Sequence, residues 1–306
     1  MSVLMISPGR DPEPWIEAIK KEYPGINVYA YPEEHDPQEI EYVISWKHPR
    51  GIFKHYPNLK AIASMGAGVD HIICDPEIPK NVAITRIIDD QLSADMSDFV
   101  LALVTAHIRN ISFHHNTKTW EPIQYNRIEE EHIGIMGLGN MGSAVAETLL
   151  KNRFNVSGWA KTPKKLVGIN TYSGEKQLER FLNRSTILIC LLPLTQETEN
   201  ILNKELFEKL PKGAYIINVA RGQHLVEHDL LEMIDKGHLS GASLDVFRIE
   251  PLPQEHPFWE NSKIRITPHI ASITNPQKVV HQLIGNYRRM KEGKELKNTI
   301  ERRLGY

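Results

Sequence analysis

The chain has 306 residues, of which 41% are hydrophobic and 24% charged; it can bury a sizeable core and exceeds one usual compact unit, so two domains are expected. Its 36 Lys and Arg nearly balance 38 Asp and Glu, for a net charge of -2, and no long basic run suggests a nucleic-acid or anionic-membrane partner. No segment approaches the roughly 18 consecutive apolar residues of a membrane span, and Cys74 and Cys190 are too few for a disulfide framework, so both are expected as buried small residues in a reducing cytoplasm.

From the amino terminus, short apolar runs at Val3–Ile6, Ile26–Tyr29, Tyr42–Ser45, Ala61–Ser64 and Val82–Thr85 alternate with polar or helical connections, the rhythm of a parallel sheet. From Asp90 to about Asn110 the pattern becomes one long helix, with Leu92, Met96, Phe99, Val100 and Leu103 on one face. A second β-α series follows: HIGIM from His132, NVSGW from Asn155, TILICLL from Thr186, AYIIN from Ala214, GASLDVF from Gly241 and IRIT from Ile264. Between these runs lie helical stretches such as Ala144–Lys151 and Val226–Lys236. Six strands with crossovers predict a doubly wound sheet. The last helix, about Pro276 to Glu292, comes too late to be a crossover and is expected back against the first domain. The chain therefore reads as α/β with two doubly wound parallel-sheet domains, 1–90 plus 277–306 and 91–276.

Gly137-Leu138-Gly139-Asn140-Met141-Gly142 follows an apolar strand and opens a helix. The first glycine of such a GxGxxG makes the tight turn, the second admits a pyrophosphate to the backbone and the third allows close packing. The helix N-terminus favours the negative charge, so this segment predicts a dinucleotide site. An NAD-preferring protein places an acidic residue after the second strand of the unit; here that position is Ala160, followed by Lys161, Thr162, Lys164 and Lys165. A cationic, hydroxyl-bearing loop suits a 2′-phosphate, which favours NADPH while leaving NADH possible. A plain solvated lysine loop is the alternative.

Arg221, Glu250 and His269 each lie just past the carboxyl end of a predicted strand, the edge where open parallel sheets bind ligands. Reducing a 2-keto acid requires a carboxylate anchor, polarisation of the carbonyl and a proton for its oxygen. An arginine fork serves the first two. A histidine held by a carboxylate serves the third. His224 and His228 have i, i+4 spacing at a helix start but no third ligand, so they are expected as helix-surface residues, and no metal site is expected; His114 and His115 read as surface residues.

The strings NVARG (Asn218–Gly222), LDVF (Leu244–Phe247) with Glu250-Pro251, TPHIA (Thr267–Ala271) and GAGVD (Gly66–Asp70) resemble the D-isomer-specific 2-hydroxyacid dehydrogenases over nearly the whole chain. Trp46 before a His-Pro pair, LLPLT (Leu191–Thr195) and the terminal Leu-Gly-Tyr look like the glyoxylate/hydroxypyruvate reductase A branch. The resemblance implies a flavodoxin-like substrate domain, a Rossmann nucleotide domain, and Arg221 as substrate anchor with His269 as acid/base beside Glu250. It also implies that Leu192, Pro193, Val219, Ala220, Asp245 and Ala271 border the cofactor, and that the enzyme is a cytoplasmic homodimer with Trp120 at its interface. The branch usually carries Ser-Arg where this chain has Ala160-Lys161, so the charge is kept and a hydroxyl lost. Met65, Gly66, Ala67, Gly68 and Val69 are the expected substrate loop, because glycines at both ends allow a turn with inward amide hydrogens for a carboxylate; a plain tight turn after a strand is the alternative. Trp46 is a lid over the substrate or a core aromatic. A bulkier 2-keto acid, or a non-catalytic nucleotide-sensing role, are the competing readings.

Overall fold

In the computed structural model the described residues are 2–111, 120 and 125–302. They fall into two compact units, Met1–Asp90 with Thr274–Tyr306, and Gln91–Ile273.

The first unit is built on a parallel sheet of β1 (Ser2–Ile6), β2 (Asn27–Ala30), β3 (Ile40–Ser45), β4 (Ala61–Ser64) and β5 (Ala83–Thr85), in the order β2-β1-β3-β4-β5. Its strands β1 and β4 are buried along their whole length, and β3 all but at Glu41, which is why they read as apolar runs rather than alternating ones. The order reverses between β1 and β3, so Ser7–Arg10 and Trp46 leave the sheet on either side of its switch point. The helix Pro276–Lys291 returns to this unit. Asn275 caps it, accepting from Gln277 N at 3.0 Å, and it buries Val279, Val280, Leu283, Ile284 and Tyr287. The Tyr42 hydroxyl donates to Leu283 O at 3.0 Å, and Arg288 reaches Glu22 O at 3.2 Å on the helix Glu13–Glu22. The chain then covers the outer edge of β5, where Ile300 N donates to Ile84 O at 3.0 Å.

The second unit holds seven parallel strands: β6 (His132–Met136), β7 (Asn155–Ala160), β8 (Asn170–Ser173), β9 (Ile187–Cys190), β10 (Ala214–Asn218), β11 (Leu239–Leu244) and β12 (Ile264–Ile266), ordered β12-β11-β10-β9-β6-β7-β8. Six strands were expected, and β8 is the addition. It is a four-residue edge strand of sequence NTYS in which only Tyr172 is buried, so no apolar run announces it. The order reverses between β6 and β9, which puts the glycine loop and the segment after β9 on the two sides of the crevice at the strand ends. The helix Asp90–Ile108 buries Leu92, Met96, Val100, Val104 and Ile108; Phe99 and Leu103 of the expected face are only partly covered.

Cys190 is buried as expected, whereas Cys74 is exposed. It caps the one-turn helix Asp70–Ile73, which turns Ile72 into the core and leaves the cap residue outside it. No described helix is long and apolar enough to cross a membrane.

Candidate active site

The glycine loop leaves β6 at the switch point. Gly137 has φ +104°, and a Cβ there would stand 2.6 Å from Leu191 O. A Cβ on Gly142 would stand 1.8 Å from Gly137 O, so only glycine lets the helix Asn140–Lys151 pack this close to its strand. Gly139 is the opposite case. Nothing lies within 4 Å of the Cβ it lacks, so its backbone is open to an approaching group at the start of a twelve-residue helix. Leu138 is buried, its side chain lying over Gly158 of β7, so it can offer a nucleotide only backbone; Asn140 is exposed and Met141 half-buried.

Around the loop stand the other residues expected to border a nucleotide. Ala160 closes β7 and is buried, while Lys161 and Thr162 are exposed, and Lys161 Nζ pairs with Glu197 Oε2 at 2.5 Å. Leu192 is buried after β9 and Pro193 exposed; Val219 and Ala220 are buried after β10.

The structure brings His269 and Glu250 together. His269 Nδ1 lies 2.9 Å from Glu250 Oε2, and the other carboxylate oxygen, Oε1, accepts from Phe247 N at 3.1 Å. The carboxylate is therefore fixed at one end by the backbone and presents its second oxygen to the ring. A carboxylate facing Nδ1 makes that nitrogen the donor and leaves Nε2 to exchange a proton with a ligand. His269 holds a left-handed backbone, φ +55°, fixed by its N–H donating to Asp245 O at 2.8 Å. A non-glycine residue in that region persists where its surroundings hold it.

Asp245 supplies that hold. Fully buried at the end of β11, it accepts from Thr267 Oγ1 at 2.7 Å, Ile270 N at 2.9 Å and Ala271 N at 3.0 Å. All the donors belong to the segment that carries His269. The carboxylate expected to border the cofactor is thus engaged within the chain as the organiser of the histidine loop.

Comparison with known proteins places the chain among its relatives. The family model for the NAD-binding domain of D-isomer specific 2-hydroxyacid dehydrogenases matches residues 100–271. The chain belongs to this family. It is 34% identical over 315 residues to the glyoxylate/hydroxypyruvate reductase A of Yersinia enterocolitica, covering all of both chains. Its fold superposes with TM-score 0.93 on a D-isomer specific 2-hydroxyacid dehydrogenase from Xanthobacter autotrophicus solved with NADPH and MES, at 36% identity over 100% of this chain and 99% of that one. The same score is found with the NADPH-dependent glyoxylate/hydroxypyruvate reductase of Sinorhizobium meliloti, solved with NADP and sulfate, at 32% identity over the whole of both chains.

In this 2-hydroxyacid dehydrogenase the string NVARG acquires a structural account. Asn218 Nδ2 donates to Arg221 O at 2.9 Å and its Oδ1 accepts from Ala220 N at 3.2 Å, so one buried amide folds the turn that presents Arg221. Arg221 Nη1 donates to Ala220 O at 2.6 Å. Gly222 is required because a Cβ would lie 1.9 Å from the carbonyl carbon of Phe247. His224 corrects the expectation of a helix-surface residue. It is buried in the turn Gly222–His224, before the helix Glu227–Asp235 begins, and its ring lies between Arg221 O at 3.1 Å and Pro193 O at 3.3 Å. It thereby ties the exits of β9 and β10. His228 is exposed, and no cluster of three or more metal-ligating side chains occurs among the described residues.

The dehydrogenase's other expected loop lies in the first unit. Ser64 Oγ donates to Gly68 O at 2.7 Å and accepts from Gly66 N at 3.2 Å, curling the Gly66–Val69 turn back on β4. The N–H groups of Ala67, Gly68 and Val69 have no hydrogen-bond partner among the described residues. Met65 is buried, so its side chain belongs to the core. Trp46 is half-buried with Cζ3 3.1 Å from the Cβ position of Gly66, between the His71 ring at 4.6 Å and the Arg10 guanidinium at 4.3 Å. Trp120 is fully exposed; His114 and His115 lie outside the described residues.

Proposed function

We propose that this protein is an NADPH-dependent reductase of glyoxylate and hydroxypyruvate, with Gln91–Ile273 as its nucleotide unit and the remainder as its substrate unit. The observation that carries the reaction class is the His269–Glu250 pair at 2.9 Å, with Glu250 itself anchored on Phe247 N. The open backbone at Gly139, between two glycines that no other residue could replace, fits a dinucleotide pyrophosphate. Gly137–Gly142, Val219, Ala220 and Lys161 would hold the cofactor, with Lys161 and Thr162 receiving a 2′-phosphate. Bound there, the reduced nicotinamide supplies the hydride.

The chain's own residues do the remaining work. Arg221, with its planar fork, orients a carboxylate and polarises the neighbouring carbonyl. His269 gives a proton from Nε2 to the carbonyl oxygen as it becomes an alkoxide, and Glu250, facing Nδ1, orients the ring for that transfer. The unpaired amides of Ala67, Gly68 and Val69 offer three donors to a carboxylate. Trp46 packed on Gly66 favours a small substrate. Full exposure of Trp120 supports a homodimer that covers it.

Steady-state reduction of glyoxylate, hydroxypyruvate and bulkier 2-keto acids with NADPH and NADH tests the reading. Expected is the highest kcat/KM with the two small acids and NADPH, and a loss of about tenfold in the NADPH preference on Lys161→Ala. A wild-type preference for NADH overturns the cofactor assignment, and a preference for a branched keto acid overturns the substrate.

A further inference from the structure

The Lys161–Glu197 ion pair occupies a particular place in the sheet. Met136, the last residue of β6, is flanked by Trp159 of β7 on one side and Cys190 of β9 on the other. Lys161 leaves from the β7 side and Glu197 from the β9 side, so their 2.5 Å contact bridges the exit of β6, where the glycine loop begins. Glu197 is not on a loose loop. Thr198 Oγ1 donates to Pro193 O at 2.7 Å and accepts from Thr195 N at 2.9 Å, and Glu199 N donates to Thr195 O at 2.9 Å. That turn sets the carboxylate opposite Lys161.

We propose that Glu197 is a specificity-determining residue that competes with the cofactor's 2′-phosphate for Lys161. The proposal rests on the NADPH reading above. A dianionic phosphate outbids a monoanionic carboxylate for the ammonium, so NADPH releases the pair and gains a cation already positioned on its path. NADH brings no competing anion and leaves the pair closed. The carboxylate therefore lowers affinity for the phosphorylated cofactor selectively. Both side chains are about two-thirds exposed, so the effect is modest: removing the charge at Glu197 strengthens NADPH binding by about two- to fivefold.

The test is direct binding of NADPH and NADH, without substrate, to the wild type, Glu197→Gln, Lys161→Ala and the double variant, by calorimetry, with 2′,5′-ADP as a probe of the phosphorylated half alone. The expected result is a two- to fivefold lower Kd for NADPH and 2′,5′-ADP in Glu197→Gln, an unchanged Kd for NADH, and loss of most of that gain when Lys161 is also replaced. An unchanged or higher NADPH Kd in Glu197→Gln overturns the proposal, as does an equal gain for NADH or a full gain that persists without Lys161. If Lys161→Ala leaves the NADPH-to-NADH ratio untouched, the 2′-phosphate reading fails with it. If that ratio falls while Glu197→Gln does nothing, only the competition fails.

Discussion

His269, Glu250 and Asp245 are joined by hydrogen bonds in one assembly, and replacing His269 or Asp245 should give separable effects. His269→Gln keeps a hydrogen-bonding group without a titratable proton, so reduction should fall roughly 100- to 10,000-fold while NADPH binding by calorimetry is retained. Wild-type turnover in that variant would remove the proton-donor assignment. Asp245→Asn exchanges an acceptor-only carboxylate for an amide whose NH2 must face one of the three donors now satisfied at 2.7 to 3.0 Å. That variant should lose about 1 to 3 kcal/mol of stability in urea denaturation, along with kcat, because the His269 loop depends on it. The closeness of His269 and Glu250 was legible in the sequence because residue type and placement after a strand both carry chemical meaning. Asn218 and His224 were not, because their partners are backbone groups, which carry no residue-type signal; His224 also reaches Pro193, 31 residues away, and spacing alone made it look like a helix-surface residue.

At the scale of elements, the buried parallel strands announced themselves as apolar runs, whereas β8, exposed on one edge, did not. The helix Asp90–Ile108 carries a feature that its apolar pattern conceals. Near its end the His107 ring stacks on Tyr215 of β10 with centroids 3.7 Å apart. Burial there, with the Arg265 charge adding to it, lowers His107 from 6.5 to about 4. The folded state thus holds this ring neutral, while the unfolded chain protonates it below pH 6.5. The resulting stability is complete above pH 6.5 and declines between pH 6.5 and about 4, by up to roughly 1 kcal/mol per pH unit. His107→Phe keeps the stack and removes the proton, so its urea midpoint should change less than the wild type's between pH 7 and 5. An identical decline in both proteins would place the acid sensitivity elsewhere.

Across the whole chain, the first unit is completed by residues from both ends, whereas the second is one uninterrupted stretch. A chain stopped after Ile273 would lack Val279, Val280, Leu283, Ile284 and Tyr287 against the first sheet. Each such side chain is worth about 1.5 to 3 kcal/mol of burial, and together they rival the 5 to 15 kcal/mol by which a domain is usually stable. Hydrogen exchange on that truncated chain should show β1–β5 unprotected and β6–β12 still protected. Retained protection in β1–β5 would mean that the closing helix is dispensable.

The same discontinuity governs the order of events during synthesis. The strands of the first sheet leave the ribosome early, yet the helix that covers them emerges only after roughly 180 further residues, a delay of about 10 to 40 s at 5 to 20 residues per second. Throughout that interval the nascent chain carries a sheet that still lacks one of its covering helices, while residues 91–273 have everything they need to fold. Chaperone demand in the cell should therefore follow the first ninety residues, although the larger unit lies elsewhere in the chain.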